Sequence, residues 1–430
     1  MKNMKRRDFI GWLASGGAVM TLGGVGFPAS IFAQVKGQRV VIVGGGFGGA
    51  TAAKYLRRAS PDIDITLIER EESYVTGPFS NTVLAGMNSL EDITLGYGDL
   101  RQHYKIDIVR GNVVEIDATA RKVMLEGGDK LAYDRLIVAP GIDFRYTDLE
   151  GYDEAASQRM PHAWKPGAQT LLLRNQLESM ADGGTVIISV PQGPYRCPPG
   201  PYERAGLIAH YLKLNKPKSK VLVLDANEKF PKQELFMQGW AAQYGNMIEW
   251  VPISKGGRVT AVDSGTMTVE TDGGRQKGDV VNIIPPQKAG MVAEDAGLTD
   301  SSDWCPVDQR SFESKILTGI HVIGDSAIAG KLPKSAAAAN SEAKVCAMAV
   351  IASLTDQSLG EPSFINACYS LIAPDYGISV AGVFGLTDKG IAVVGNASGT
   401  SPLNASQKYR RKEARDAQGW YDSIRADSFS

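Results

Sequence analysis

The stretch VVIVGGGFGGATAA, Val40 to Ala53, constrains this chain more than any other. Four consecutive β-branched residues, Val40 to Val43, suit a central parallel strand buried on both faces, and glycines at GxGxxG spacing follow at once. Gly44 permits the tight turn, Gly46 lets a pyrophosphate approach the backbone, and Gly49 lets the next helix pack closely on the strand. That helix, opened by Phe47 and Gly48, presents its N-terminus to the phosphates. A second strand, Ile63 to Ile68, ends at Glu69, about twenty residues past the last glycine, where a carboxylate can accept from both ribose hydroxyls. Strand, turn, helix and acid predict a Rossmann-like dinucleotide site, with FAD and NAD both open at this point.

A chain of 430 residues exceeds a single hydrophobic core, so two or more domains are expected. Net charge is -1 overall and -4 once the first 33 residues, which carry +3, are set aside; nucleic acid is not an expected partner. Those first residues join a twin-arginine motif (Arg6, Arg7, Asp8, Phe9, Ile10) to a mild apolar stretch. They predict a signal peptide over residues 1–33 that exports a folded protein to the periplasm. No segment of the mature chain is expected to span a membrane. Four cysteines, Cys197, Cys305, Cys346 and Cys368, remain, and an oxidising compartment permits a disulfide among them. No close CxxC or Cys/His cluster predicts a metal.

After Glu69 and Arg70 comes a polar loop containing Gly77, then short strands over Ile106 to Val109 and from Val113 to Ile116. The run Leu136, Ile137, Val138 ends in Ala139, Pro140 and Gly141, where the chain must turn beside a bound dinucleotide. A second βαβ-like unit follows: a helical pattern over Ala168 to Met180, a strand over Thr185 to Val190, and another over Val221 to Leu224. Its glycine turn is replaced by PQGPYRCPPGPYER, with Pro191, Pro194, Pro198, Pro199 and Pro201. Proline lacks the amide hydrogen a phosphate cradle needs, so a nucleotide-type fold is expected to persist there without its nicotinamide site. Asp225, at the end of that unit's second strand, reads as a solvated structural carboxylate.

The segment TGIHVIGD, Thr318 to Asp325, is the second flavin signature. An apolar strand ends at Gly324 and Asp325, where the ribityl chain and pyrophosphate would pass, and this selects FAD. Lys334 and Ser335 precede a small-residue helix whose N-terminal dipole would face a flavin edge that becomes anionic on reduction. From Thr355 onward the sequence predicts a glycine-rich hairpin and, over QKYRRKEARDAQGWYDSI, an exposed final helix.

The expected fold is α/β: two related Rossmann-like domains of FAD/NAD(P)-binding type, the second without a working NAD(P)H site, plus a C-terminal α+β interface domain. The FAD domain runs over 36–147 and resumes over 300–355. The second nucleotide-type domain, 148–299, carries Cys197, and the interface domain, 356–430, carries Cys368.

With PHAWKPG, RCPPGPYERA, WCPVD, GIHVIGD, CYSLIAPDYGISVAG and a terminal WYDSI in hand, the chain resembles the flavoprotein subunit of flavocytochrome c sulfide dehydrogenase over nearly all of its mature length. That resemblance implies FAD as cofactor, sulfide as substrate, a c-type cytochrome subunit as partner, and a redox-active disulfide between Cys197 and Cys368. Both lie in stretches flanked by proline or glycine and are read as loops, whereas Cys346 and Cys305 read as inert buried thiols. Hydrosulfide would attack one sulfur of the disulfide and release the other as a thiolate, which passes electrons to the flavin. Glu203, six residues after Cys197 near a helix start, is the expected general base. In that family the flavin is bonded to a cysteine in the loop after the second strand, where this chain has Gly77, so FAD is expected to be held noncovalently.

No CxxCH motif occurs, so the heme must arrive on another polypeptide. Three other functions compete: a sulfide:quinone oxidoreductase, an accessory flavoprotein docked on a sulfur-oxidising complex, and an NADH-dependent disulfide reductase. The first needs a membrane-facing quinone pocket, for which the charged ending with Arg410, Arg411, Lys412, Glu413 and Arg415 offers no amphipathic helix of the usual kind. The last needs the phosphate turn that the prolines remove.

Overall fold

The computed structural model describes residues 37–430, so the signal segment expected over residues 1–33 lies outside the described residues. The chain first forms β1 (Arg39–Val43), α1 (Phe47–Ala59), β2 (Asp64–Glu69), α2 (Ser80–Leu84), β3 (Asp107–Arg110) and β4 (Arg135–Val138). Next come α3 (Ala168–Ser179), β5 (Thr185–Val190), α4 (Gly200–Asn215), β6 (Lys220–Asp225), α5 (Gln233–Tyr244), β7 (Ile248–Val251) and β8 (Val280–Ile283). The chain ends with β9 (Ile320–Val322), α6 (Ala336–Leu354), β10 (Ser363–Ala373), β11 (Tyr376–Thr387), β12 (Gly390–Thr400) and α7 (Gln407–Phe429).

The first sheet is parallel, in the order β9-β4-β1-β2-β3. β1 lies at its centre with both edges paired, and Val40 to Val43 are buried accordingly. Register then does the functional work. Val43 is level with Val138, and Val138 with Val322. The glycine turn, the Ala139-Pro140-Gly141 turn and the Gly324-Asp325 turn therefore leave one sheet edge side by side, the carboxyl edge where an open parallel sheet holds its ligand.

The second sheet, β7-β6-β5-β8, is also parallel and keeps the expected nucleotide-type topology. Asp225 departs from the solvated carboxylate expected of it. It is fully buried, accepting from the Tyr202 hydroxyl at 2.7 Å, the Trp250 indole at 2.9 Å and both nitrogens of Asn227. A carboxylate so engaged is part of the core.

The third sheet, β10-β11-β12, is antiparallel. Cys368 lies in mid-strand opposite Val380 rather than in a loop, because the glycines and prolines around it fall in the neighbouring strand and turn. The final helix is also not simply exposed. α7 buries Arg410, Glu413, Ala414, Ala417, Tyr421, Ile424, Ser428 and Phe429, a stripe at helical spacing. Its polar members find partners inside: Glu413 accepts from Ser379 at 2.8 Å and from Arg410 at 3.2 Å. Among the described residues no helix is long and apolar enough to cross a membrane.

Candidate functional site

The glycine turn is as tight as its sequence demands. Gly44 has φ +98, and a Cβ there would lie 2.4 Å from the Ala139 carbonyl oxygen; a Cβ on Gly49 would lie 1.8 Å from the Gly44 carbonyl oxygen. Gly48 packs α1 against Ala139 and Ile323. Glu69 accepts from the Gly45 amide at 2.6 Å and the Glu71 amide at 3.1 Å, which fixes the carboxylate at the turn. The Phe47 ring meets Tyr74 and Phe429 edge-on at 5.8 and 5.5 Å. Arg70 is exposed and pairs with Glu71, while Val113 is the half-buried first residue of the short strand Val113–Asp117. Gly77 faces open space and its carbonyl accepts from the amide and hydroxyl of Ser80.

At the neighbouring turn, Gly324 has φ +74 and donates its amide to Glu342 of α6 at 2.7 Å. Asp325 Oδ1 is buried with no hydrogen-bond partner. Lys334 is not a surface lysine: its Nζ donates to the carbonyls of Asp325 (2.6 Å) and Ala327 (3.1 Å) and lies 3.7 Å from the Trp304 ring centroid. Burial pushes its pKa down to about 8, against the pull of Asp325 and Glu342. Burial pushes the Glu342 carboxyl up to about 8 and raises Asp325 as well. Ser335 caps α6, accepting from the Ala338 amide at 3.1 Å and donating to Asn366 at 2.7 Å. A glycine turn at a helix N-terminus, an unpartnered buried carboxylate oxygen and a second helix N-terminus together fit the phosphates and hydroxyls of FAD. Gly44, Gly46, Glu69, Ala139, Gly324, Asp325 and the Lys334-Ser335 pair are the residues that would hold it.

The two cysteines approach this edge from different elements. Cys197 stands in the proline loop with φ +55; its amide donates to the Lys334 carbonyl at 2.8 Å, tying the loop to the start of α6. A Cβ on Gly200 would lie 3.0 Å from the Cys197 sulfur and 2.7 Å from the Trp164 ring, so the opening of α4 has room only for glycine. Cys368 arrives from β10. All four cysteines are free thiols. Burial raises Cys197 and Cys368, each is raised further by Glu203, and Cys368 also raises Cys197, which puts both sulfurs and the carboxylate in one electrostatic neighbourhood. Cys305 and Cys346 are fully buried: the Cys305 backbone bonds Ser326 and Ile328 just past the Gly324-Asp325 turn, and Cys346 lies in α6.

Glu203 is half-buried in the first turn of α4, accepting from Asn81 of α2 at 2.9 Å and from the Leu371 amide of β10 at 2.8 Å. Burial raises its pKa, with the Leu371 and Asn81 hydrogen bonds, Lys232 and Arg204 opposing. Three residues that the sequence did not single out complete the site. Arg204, 1% exposed, donates to Asn81 (3.0 Å), Asn282 (2.9 Å) and the carbonyls of His162 (3.0 Å) and Ala163 (2.6 Å). Burial pushes it down to about 9, while Cys197 and Glu203 pull it up. Asn81 bridges Arg204 and Glu203, and Lys232 donates to the Cys368 carbonyl at 3.3 Å. Phe79, Ala163, Cys197 and Lys232 all have positive φ. Left-handed backbone at non-glycine residues costs about 1 kcal/mol or more each and clusters at functional sites. For Arg204 the signal was its place in RCPPGPYER; for Lys232 the sequence held none.

At the carboxyl ends of β5 and β6 a cavity of about 450 Å³ remains, lined in part by Pro191, Pro194, Trp304 and Arg258. The acid that would read a ribose there, Asp225, is consumed by Tyr202 and Trp250. The second unit thus keeps a nucleotide fold without its phosphate turn or free acid.

Residues 170–285 match the family described as sulfide dehydrogenase (flavocytochrome c) flavoprotein chain, central. Residues 360–429 match flavocytochrome c sulphide dehydrogenase, flavin-binding, and residues 38–168 match pyridine nucleotide-disulphide oxidoreductase. The sulfide dehydrogenase flavoprotein chain of Chlorobaculum thiosulfatiphilum is 61% identical over 46 residues, 11% of this chain and 96% of the relative. A type II NADH:quinone oxidoreductase, Ndh, of Mycobacterium tuberculosis is 29% identical over 357 residues, covering 75% of this chain and 74% of its own. Among solved structures, the sulfide:quinone oxidoreductase of Aquifex aeolicus superposes with a TM-score of 0.71 at 19% identity, over 91% of this chain and 92% of that one. That likeness establishes the shared fold.

Proposed function

The chain belongs to the flavoprotein-chain family of flavocytochrome c sulfide dehydrogenases, and from that premise we propose that it oxidises sulfide through a Cys197–Cys368 disulfide and bound FAD, delivering electrons to a c-type cytochrome subunit. The observation that carries the proposal is the Cys197 loop bonded to Lys334 beside the edge that fits FAD, with Glu203 six residues on bonded to the strand that carries Cys368.

In the oxidised pair, the sulfur of hydrosulfide bonds to one cysteine sulfur, the S–S bond breaks, and its electron pair leaves on the other sulfur as thiolate. The proton carried in by hydrosulfide passes to Glu203, whose burial-raised carboxyl is a better base than an exposed one. Asn81 and the Leu371 amide hold that carboxylate between α4 and β10, and Arg204 offsets its charge. FAD supplies a two-electron acceptor that can then give up electrons singly. Gly77 offers no sulfur to the flavin, so the cofactor is held without a covalent bond and acid precipitation should release it to the supernatant. Consumption of the acid and loss of the glycine turn in the second unit support sulfide over NADH as the electron source. The twin-arginine segment supports a periplasmic location, which fractionation would test.

The decisive experiment is anaerobic stopped-flow of FAD-loaded protein against sulfide, with Cys197→Ser and Cys368→Ser in parallel. Rapid bleaching of the wild-type flavin and none in either variant is expected. A wild-type flavin that stays oxidised would overturn the proposal.

A further inference from the structure

Lys232 is placed with unusual care for a lysine. It caps the N-terminus of α5 with φ +62, in the left-handed region, and is only 9% exposed. Its Nζ donates to the Ser370 hydroxyl at 2.8 Å and to the Cys368 carbonyl at 3.3 Å, and stands 5.6 Å from the Phe236 ring centroid. Cys368 and Ser370 are two residues apart on β10, so their side chains leave the same face of the strand. An ammonium bonded to Ser370 Oγ is therefore on the face that carries the Cys368 sulfur. The groups it faces are Cys368, Cys197 and Glu203, and it favours the anionic form of each. Its stem also lines an open groove shared with Lys229, Phe230 and residues Thr400 to Leu403.

We propose that Lys232 is a positioning residue that supplies the counter-charge for the sulfur anion at Cys368, stabilising the thiolate formed when the disulfide opens. This rests on the sulfide-oxidation reading for its biological use, but the charge effect is measurable without sulfide. No other reactant enters: the electron pair of the broken S–S bond stays on sulfur.

The test is iodoacetamide alkylation of the reduced, FAD-loaded protein across a pH series, with Cys368, Cys197 and Cys346 followed by peptide mass spectrometry. The thiolate is the reacting species, so losing one unit of thiol acidity slows alkylation about tenfold. Lys232→Met and Lys232→Gln should each slow Cys368 about tenfold near neutral pH and move its profile up by about one unit. Lys232→Arg should stay within about twofold of wild type, and Cys346 should not change. The glutamine variant, which retains a donor for Ser370 but no charge, separates charge from packing if the methionine variant folds poorly. Wild-type alkylation of Cys368 in Lys232→Gln, or an equal loss in Lys232→Arg, overturns the proposal. A wild-type flavin unreactive toward sulfide would instead count against the enzymatic reading alone.

Discussion

Glu342 stores a proton that the unfolded chain cannot keep. It is 2% exposed, its carboxylate accepts the Gly324 amide at 2.7 Å, and burial moves it from 4.5 to about 8. Between those two values the folded protein holds a proton that the unfolded chain has released. Stability is therefore fully present below the ordinary glutamate range and falls as pH rises toward 8, by about 1.4 kcal/mol per unit. Glu342→Gln keeps the shape and an oxygen for Gly324 but cannot titrate. From roughly pH 5.5 to 7.5, wild type should lose about 2.5 kcal/mol relative to the variant. Guanidinium unfolding of both proteins, saturated with FAD and read by tryptophan fluorescence, measures the difference. Lys334 does not obscure it, because below about 8 that lysine is protonated in both states. Two proteins with parallel pH dependence would show that Glu342 is ionised in the fold across this range and would refute the reasoning.

Gly49→Ala places a methyl 1.8 Å from the Gly44 carbonyl oxygen, so the turn must open; the purified variant should have lost most of its flavin absorbance, and a wild-type ratio of flavin to protein would refute the tight-turn account. Asp225→Asn should cost about 1–3 kcal/mol by setting an amide against donors that now meet a carboxylate, while sulfide reduces the flavin at a rate within about twofold of wild type. A large loss of rate at unchanged stability would mean that the second unit takes part in the reaction.

The first sheet was legible because its signals are local. β-branched runs, a glycine turn and an apolar strand ending in Gly-Asp each declare themselves within ten residues or so, and register does the rest. Asp225 was misread for the opposite reason: its partners Tyr202 and Trp250 lie 23 and 25 residues away and belong to other elements. Lys232 was invisible because the strand it serves is 136 to 138 residues further on. In α7, Arg410 and Glu413 look like a solvated face until Ser379 and the Tyr376 ring are placed against them. Cys368 was found through the family resemblance, and its strand needed β11 to exist before it could be read. Sequence thus exposes groups that act on their neighbours in the chain, and hides those whose partners come from a different sheet.

The far end of α7 reaches back to the start of the fold. Phe429 stacks against Tyr74 at 5.7 Å and meets Phe47, Ser428 shares a hydrogen bond with Thr51, and Lys54 donates to the carbonyls of Ala426 and Ser430. These hydrogen bonds join residues more than 370 positions apart. A ribosome therefore delivers the glycine turn long before it delivers the helix that packs over it. Assembly of the flavin cradle is a late event in biosynthesis, completed only after the last helix has emerged, so a stalled or clipped chain would carry the nucleotide-binding signature yet lack the surface that closes it.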